Sequence, residues 1–318
     1  MAKLSLPSRD THLQRVERRA RRAPADHAAD AASAADMTKR PRNRPLGFPP
    51  RRSKMKAFKP MFTSALVAAL LGVAAASAHA ADLLDSVKQA GVLKIALEGT
   101  YPPFDYRNGD GQLEGFDVAK EVAARLGVKP QFVTTEWSGI LAGLQAGKFD
   151  VIVNQVGITP ARRQALDFSQ PYVYSAAQLI QRADDKHDYG APGALQGKRI
   201  GVTLGTNFAD LAKTLQGVDV KTYPGAPEKL RDVAAGRIDV SMDDRLMLPY
   251  LIKNAHMPLR PGATINGGET QMGIPFRKGN PKFAKALDDA LASMRADGTL
   301  KKISVHWFGV DTSVPSAQ

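Results

Sequence analysis

Gly91-Val-Leu-Lys-Ile-Ala-Leu-Glu-Gly-Thr100 decides the fold, because Gly197-Lys-Arg-Ile-Gly-Val-Thr-Leu-Gly-Thr206 repeats its pattern later in the chain. Each is a short apolar run bounded by glycine, which reads as a buried strand ending in a Gly-Thr turn. A second echo follows in the same order: Ala146-Gly-Lys-Phe-Asp-Val151 returns as Ala235-Gly-Arg-Ile-Asp-Val240. In each half this second piece follows a helix and enters an apolar strand. One echo alone is within reach of chance among α/β units. Two in the same order indicate two similarly built α/β lobes.

Working outward, strands and helices alternate. Leu93–Leu97 reads as a strand, and Asp105 to Gly115 as a hairpin turning on Asn108-Gly-Asp-Gly111. Phe116, Val118, Val122, Ala123 and Leu126 make a helical stripe stopped by Gly127. Gln131–Thr134 is a strand, Ile140, Leu141 and Leu144 mark a helix, and Val151–Val153 is a buried strand. Such alternation implies mainly parallel sheets with helices on both faces. A late strand, Gln271-Met-Gly-Ile-Pro-Phe276, and helices over about 281–296 and 299–308 are too few for a third lobe and are expected to return to the first. Two such lobes turn the C-terminal ends of their strands, and so both Gly-Thr turns, toward one crevice. Ligands bind there because helix N-termini and free backbone N–H groups converge.

The charge of the chain is unevenly placed. Over all 318 residues the net charge is +13, which by itself would point to a nucleic-acid partner. Residues 1–80 hold 16 Lys/Arg and five Asp/Glu, a net of +11, and the remaining 238 carry only +2. No electrostatic reason for binding DNA or RNA remains. Lys54, Lys56 and Lys59 precede an apolar run from Met61 to Ala76, and Ala78-His-Ala80 is a small-x-small cleavage site. This is the grammar of a signal peptide over 55–80, cut after Ala80, with a product exported to the periplasm. The run is too short for a comfortable membrane span. Residues 1–54, rich in Arg, Ala and Pro, are expected to be disordered and to reflect a start codon placed too early. There is no cysteine, which excludes disulfides, a thiolate metal site, a Cys nucleophile and a lipid anchor.

Glu98-Gly-Thr-Tyr-Pro-Pro-Phe104, Gly115-Phe-Asp-Val118, Trp137, Asn154-Gln-Val-Gly-Ile-Thr159 with Arg162, and Asp167-Phe-Ser-Gln-Pro-Tyr172 together carry a resemblance. It continues through Gly205-Thr-Asn207, Gly236-Arg-Ile-Asp239, Asp244-Arg-Leu246, Asp297-Gly-Thr-Leu300 and Trp307-Phe-Gly309. The set resembles the polar-amino-acid-binding proteins of ABC importers, solute-binding protein family 3, over essentially all of 85–310. Asn154-Gln-Val, Leu204-Gly-Thr-Asn-Phe and Asp244-Arg-Leu look most like its cystine-binding branch.

The resemblance implies a type II periplasmic binding protein whose two lobes close on the ligand by a hinge. Lobe one is expected over 81–175 and 270–318, lobe two over 176–269, with crossings near 173–178 and 268–275. It implies a monomer without cofactor that hands an amino acid, cystine or another polar one, to an inner-membrane permease. Arg162, in the T-x-x-R position after Thr159, would grip the α-carboxylate bidentately. Asp244 would pair with the α-ammonium; its alternative role is an N-cap for a helix over Leu246–Ile252. Asp243 is the less favoured partner. Tyr101 and Trp137 would wall the side-chain pocket, or else be core. Backbone groups of Asn154 and Gly157 and N–H groups of Thr206 and Asn207 complete the shell, and Glu98 would reach the ligand side chain or stabilise the fold. Many relatives carry Ser or Thr at Gly157, so the hydroxyl contact to the ammonium is in doubt here.

Two other classes compete. A few proteins of this fold are dehydratases of amino-acid precursors, for which Glu98 and Asp244 are the only tempting acid–base groups. His187, His256 and His306 are scattered and form no ligand spacing, so no catalytic or metal-binding residue is expected. A sensor module would need a membrane or output segment, and the chain ends at Gln318, soon after the last expected helices.

Overall fold

The computed structural model describes residues 81–265 and 269–315. The expectations for 1–54, for the signal peptide 55–80 and for its cleavage after Ala80 lie outside the described residues.

Helix α1 (Leu83–Ala90) is capped by Asp82, whose carboxylate accepts from the Leu84 N–H at 2.9 Å. The chain then enters β1 (Val92–Leu97), in which Leu93, Ile95, Ala96 and Leu97 are wholly buried. Strands β2 (Thr100–Tyr101), β3 (Asp105–Arg107) and β4 (Leu113–Glu114) form a small antiparallel sheet, turning where Asn108 N–H meets the Gln112 carbonyl at 2.8 Å. Next come α2 (Asp117–Arg125), β5 (Lys129–Thr134), α3 (Trp137–Gln145) and β6 (Val151–Ile152). Then follow β7 (Val156–Gly157), α4 (Pro160–Ala165), β8 (Leu166–Phe168) and β9 (Val173–Ser175).

The second half runs β10 (Ala177–Arg182), β11 (Arg199–Thr203), α5 (Asn207–Thr214), β12 (Asp219–Tyr223), α6 (Ala226–Ala234) and β13 (Val240–Asp244). A short α7 (Met247–Tyr250) widens into a π turn over Leu251–Ala255 before β14 (Leu259–Thr264). The chain closes with β15 (Thr270–Gly273), β16 (Pro275–Arg277), α8 (Pro281–Ala296) and α9 (Thr299–Phe308).

Two five-stranded sheets result, ordered β5-β1-β6-β16-β8 and β12-β11-β13-β10-β14. Their first three strands are parallel and in equivalent order, so the repeated sequence is a repeated βαβαβ unit. In each unit the aspartate that precedes the third strand in the chain holds the first strand. Asp150 accepts from the Lys94 N–H at 2.9 Å, and Asp239 from the Arg199 N–H at 2.8 Å. These bonds equate Lys94 with Arg199, one residue out of step with equating Gly91 and Gly197. Sheet register follows the buried alternation and the aspartate contact, not the preceding glycine.

The late strand 271–276 is two strands in two sheets. Ile274 gives its N–H to Ser169 Oγ and its carbonyl to the Ser169 N–H, each at 3.0 Å, so the ladder breaks there. β15 pairs with β7 and β9, whereas β16 joins the first sheet beside β6 and β8. β9 and β15 run antiparallel as neighbours, with Met272 opposite Val173, and so carry the chain side by side between the two large sheets. α8 and α9 lie on the first-sheet side. Asn280 Oδ1 accepts from the Leu83 N–H at 2.7 Å, and Trp307 Nε1 donates to Asp117 at 2.8 Å.

Candidate functional site

The two units meet at the turns that follow β1 and β11. A narrow cleft lies between them, lined by Glu98, Tyr101, Trp137, Asn154 and Gln155 on one side. Thr203, Thr206, Asn207, Phe208 and Ala226 line the other. Six residues expected in the site from sequence therefore share one cleft: Glu98, Tyr101, Trp137, Asn154, Thr206 and Asn207.

Arg162 is placed by its helix. Thr159 caps α4, its Oγ1 accepting from the Arg162 N–H at 3.2 Å, and Pro160 occupies the first turn, where no N–H is missed. The guanidinium donates from Nη1 to the Gly157 carbonyl at 2.8 Å and from Nη2 to the Gly205 carbonyl at 3.0 Å. Gly205 has φ +78° in the turn before α5, a conformation that glycine adopts without strain. Arg162 also stands 5.7 Å from the Trp137 ring centre. It thus ties the first unit to the second beside the cleft; burial lowers its pKa from the usual arginine value. Arg163, by contrast, is exposed and packs on Phe168.

Trp137 is both wall and core: only 6% exposed, it packs in a cluster with Ile140, Leu144 and Phe149. Tyr101 stacks 4.9 Å from Phe104 and donates from its hydroxyl to Asp243 Oδ1 at 2.7 Å. Burial and the neighbouring carboxylate of Asp243 raise the Tyr101 pKa. Asn154 Nδ2 donates to Glu98 Oε2 at 2.8 Å, while Asn154 Oδ1 is buried and has no partner among the described residues. Burial pushes Glu98 up to about 7, against the Asn154 bond and with help from Asp243.

Asp244 is fully buried at the end of β13, its Oδ1 bonded by the Ser175 hydroxyl and by the Leu246 N–H at 2.9 Å. Its Oδ2 is unpartnered among the described residues, and burial pushes its carboxyl up to about 7. It does not line the cleft itself. Nor does it cap the helix directly, because α7 starts at Met247 with Leu246 as its N-cap. Asp243 points the other way along the strand and pairs with Lys229, with the two side chains 3% and 1% exposed. Lys229 also donates to Thr203 Oγ1 at 3.0 Å, beneath the cleft wall.

Thr206 and Asn207 divide their roles. Thr206 caps α5 through Oγ1, which accepts from the Ala209 N–H at 3.1 Å, and its own N–H goes to the Thr203 carbonyl at 3.3 Å. The Thr206 N–H is therefore spent in its turn, whereas that of Asn207 has no partner among the described residues. Gln155, Thr203, Phe208 and Lys229 were not among the residues expected from sequence, and Asp243, the less favoured partner for the ammonium, is held by Lys229. Lys229 carried a signal: it falls in the apolar stripe Ala226, Leu230, Val233 of α6. Among the described residues no group of three or more His, Asp or Glu is placed to hold a metal.

A two-lobed α/β protein with a charged, aromatic-walled cleft between its sheets is a small-solute binder. The chain belongs to the bacterial extracellular solute-binding proteins, family 3, whose profile it matches over residues 93–310. It is 40% identical over 251 residues to the L-cystine-binding protein TcyJ of Escherichia coli (strain K12), covering 78% of this chain and 94% of that one. It is 32% identical over 256 residues to a probable amino-acid ABC transporter-binding protein of Haemophilus influenzae, covering 80% and 98%. Among solved structures it is similar to an ancestral amino acid-binding protein described as a precursor of cyclohexadienyl dehydratase. That match has a TM-score of 0.66 and 31% identity, over 72% of this chain and 100% of the other. The family and these curated relatives are binding proteins, and the chain is a binding protein rather than an enzyme.

Proposed function

We propose that the chain is the periplasmic substrate-binding component of an amino-acid ABC importer and that its ligand is an L-amino acid zwitterion, cystine. The observation that carries this reading is Arg162, a guanidinium fixed against two carbonyls and Trp137 at the edge of the cleft. A ligand carboxylate replaces those carbonyls as its bidentate partner. Asp244, with one buried oxygen lacking a partner, receives the α-ammonium as the cleft closes. Tyr101 and Trp137 cover the ligand stem, and Glu98 with Asn154 meets its far end. The two names among its relatives, cystine-binding and amino-acid transporter-binding, support this assignment.

In this reading lobe one comprises 81–175 and 270–318, lobe two 176–269, and β9 with β15 forms the hinge. The precursor is cut after Ala80 and the mature protein acts as a monomer that docks on an inner-membrane permease. Gly157 favours a second ligand assignment, another polar amino acid, because it offers no hydroxyl to the ammonium. A calorimetric panel of L-amino acids tests both: saturable one-to-one binding of cystine is expected, and preference for a different polar amino acid moves the assignment to that ligand.

A further inference from the structure

Lys229 interrupts the apolar stripe of α6 and is buried there against Asp243, the two side chains only 1% and 3% exposed. A buried ion pair adds little net stability, because taking both charges out of water offsets their attraction. Its geometry gives the pair another task. Lys229 holds Asp243 Oδ2 and donates to Thr203 Oγ1 at 3.0 Å, all within the second half of the molecule. Asp243 Oδ1 accepts from the Asp244 N–H at 2.8 Å and from the Tyr101 hydroxyl of the first half at 2.7 Å. The Tyr101 ring is backed by Phe104, 4.9 Å away in its own half. One half therefore fixes the ring at its side and the other fixes it at its tip. A charged acceptor makes the tip bond stronger than a neutral one would, and Lys229 supplies the counter-charge that so deeply buried a carboxylate requires.

We infer that Lys229 and Asp243 are positioning residues for ligand binding: the pair does not line the cleft, but anchors the Tyr101 hydroxyl and so sets the ring as a fixed wall spanning both halves. The inference rests on the amino-acid reading above. A wall fixed in advance needs no ordering when the ligand arrives. Freed at its tip, the ring has to be ordered by the ligand, and a bond that draws the two halves together is lost.

The test is calorimetric titration of cystine into the parent protein, Tyr101→Phe, Lys229→Met/Asp243→Leu and the triple variant that combines them, with thermal melting of each in the absence of ligand. Tyr101→Phe keeps the ring and removes only the hydroxyl. It should bind roughly tenfold more weakly, the loss expected for one hydrogen bond to a charged group. Lys229→Met/Asp243→Leu removes both buried charges together, so it should melt cooperatively and still bind roughly tenfold more weakly. The triple variant should bind within about threefold of either, since hydroxyl and pair act through one bond. A pair that serves only the fold leaves affinity untouched. Affinity within about twofold of the parent in Tyr101→Phe or in Lys229→Met/Asp243→Leu therefore overturns the inference, as does a triple variant weakened by the product of the two separate losses. Should the paired variant not melt cooperatively, Tyr101→Phe decides alone by the same bounds. If the parent itself binds neither cystine nor any other amino acid, the proposed function fails, and with it this inference. Binding by the parent that Tyr101→Phe leaves intact removes the inference alone.

Discussion

The hydroxyl of Tyr101 donates to Asp243 at 2.7 Å, joining β2 to β13 of the other half. The same aspartate is ion-paired with Lys229, and the pair is almost inaccessible to water. A cross-cleft hydrogen bond therefore ends on a buried charge pair, so closure and the internal electrostatics of the second half are linked. Removing one member strands the other without water. Asp243→Ala should lower stability by about 3–5 kcal/mol in denaturant unfolding, because the Lys229 cation is left buried without a counter-charge. The double replacement Lys229→Met/Asp243→Leu should recover most of that loss. A single variant no less stable than the parent would show that Lys229 finds another partner or solvent.

Arg162 makes a different prediction, because its bonds go to backbone carbonyls on two elements and its chemistry is that of a carboxylate grip. Arg162→Ala should weaken ligand binding by at least about a hundredfold, the order expected for losing a bidentate charged contact. The melting temperature without ligand should change little. Arg162→Lys should bind poorly too, since an ammonium lacks the planar fork. Unchanged affinity in the alanine variant would remove Arg162 from the site.

Protonation gives a third. Burial holds Asp244 and Glu98 up at about 7, whereas exposed carboxylates titrate near about 4. The folded protein thus keeps two protons that the unfolded chain releases between roughly pH 4 and 7. These groups favour folding at low pH, and their contribution is lost as pH rises through 7. Ligand binding has the opposite sign. An ammonium beside Asp244 requires its charged form, so binding below pH 7 expels a proton, and affinity should fall about tenfold per pH unit for each proton expelled. Titrations at pH 6 in buffers of different ionisation enthalpy should register that release, and Asp244→Asn should reduce it. Affinity independent of pH from 5 to 8 would mean that neither carboxyl titrates on binding.

The strands and the cleft were legible in the sequence because buried parallel strands are continuous apolar runs, here closed by a Gly-Thr turn in each copy of the repeat. What alternation could not reveal is a change of sheet. The run 271–276 reads as one strand, and only the Ser169 bonds to Ile274 divide it. Individual site residues were legible where a motif held them, as Thr159 and Pro160 hold Arg162. The Asp243–Lys229 pair was not, because its members lie 14 positions apart on a strand and a helix. A lone lysine in an apolar helical stripe was the available sign. The approach of Asn207 Oδ1 to within 2.9 Å of where a Cβ on Gly157 would stand had no sequence signal at all, since it exists only once the two halves face each other.

The central claim is that the cleft grips an amino-acid zwitterion. It is tested most directly by titrating purified, ligand-free protein with a panel of L-amino acids in a calorimeter. Saturable binding of cystine at one per chain, lost in Arg162→Ala, is the predicted result. Heats indistinguishable from buffer across the whole panel, from a protein that melts cooperatively, would contradict it.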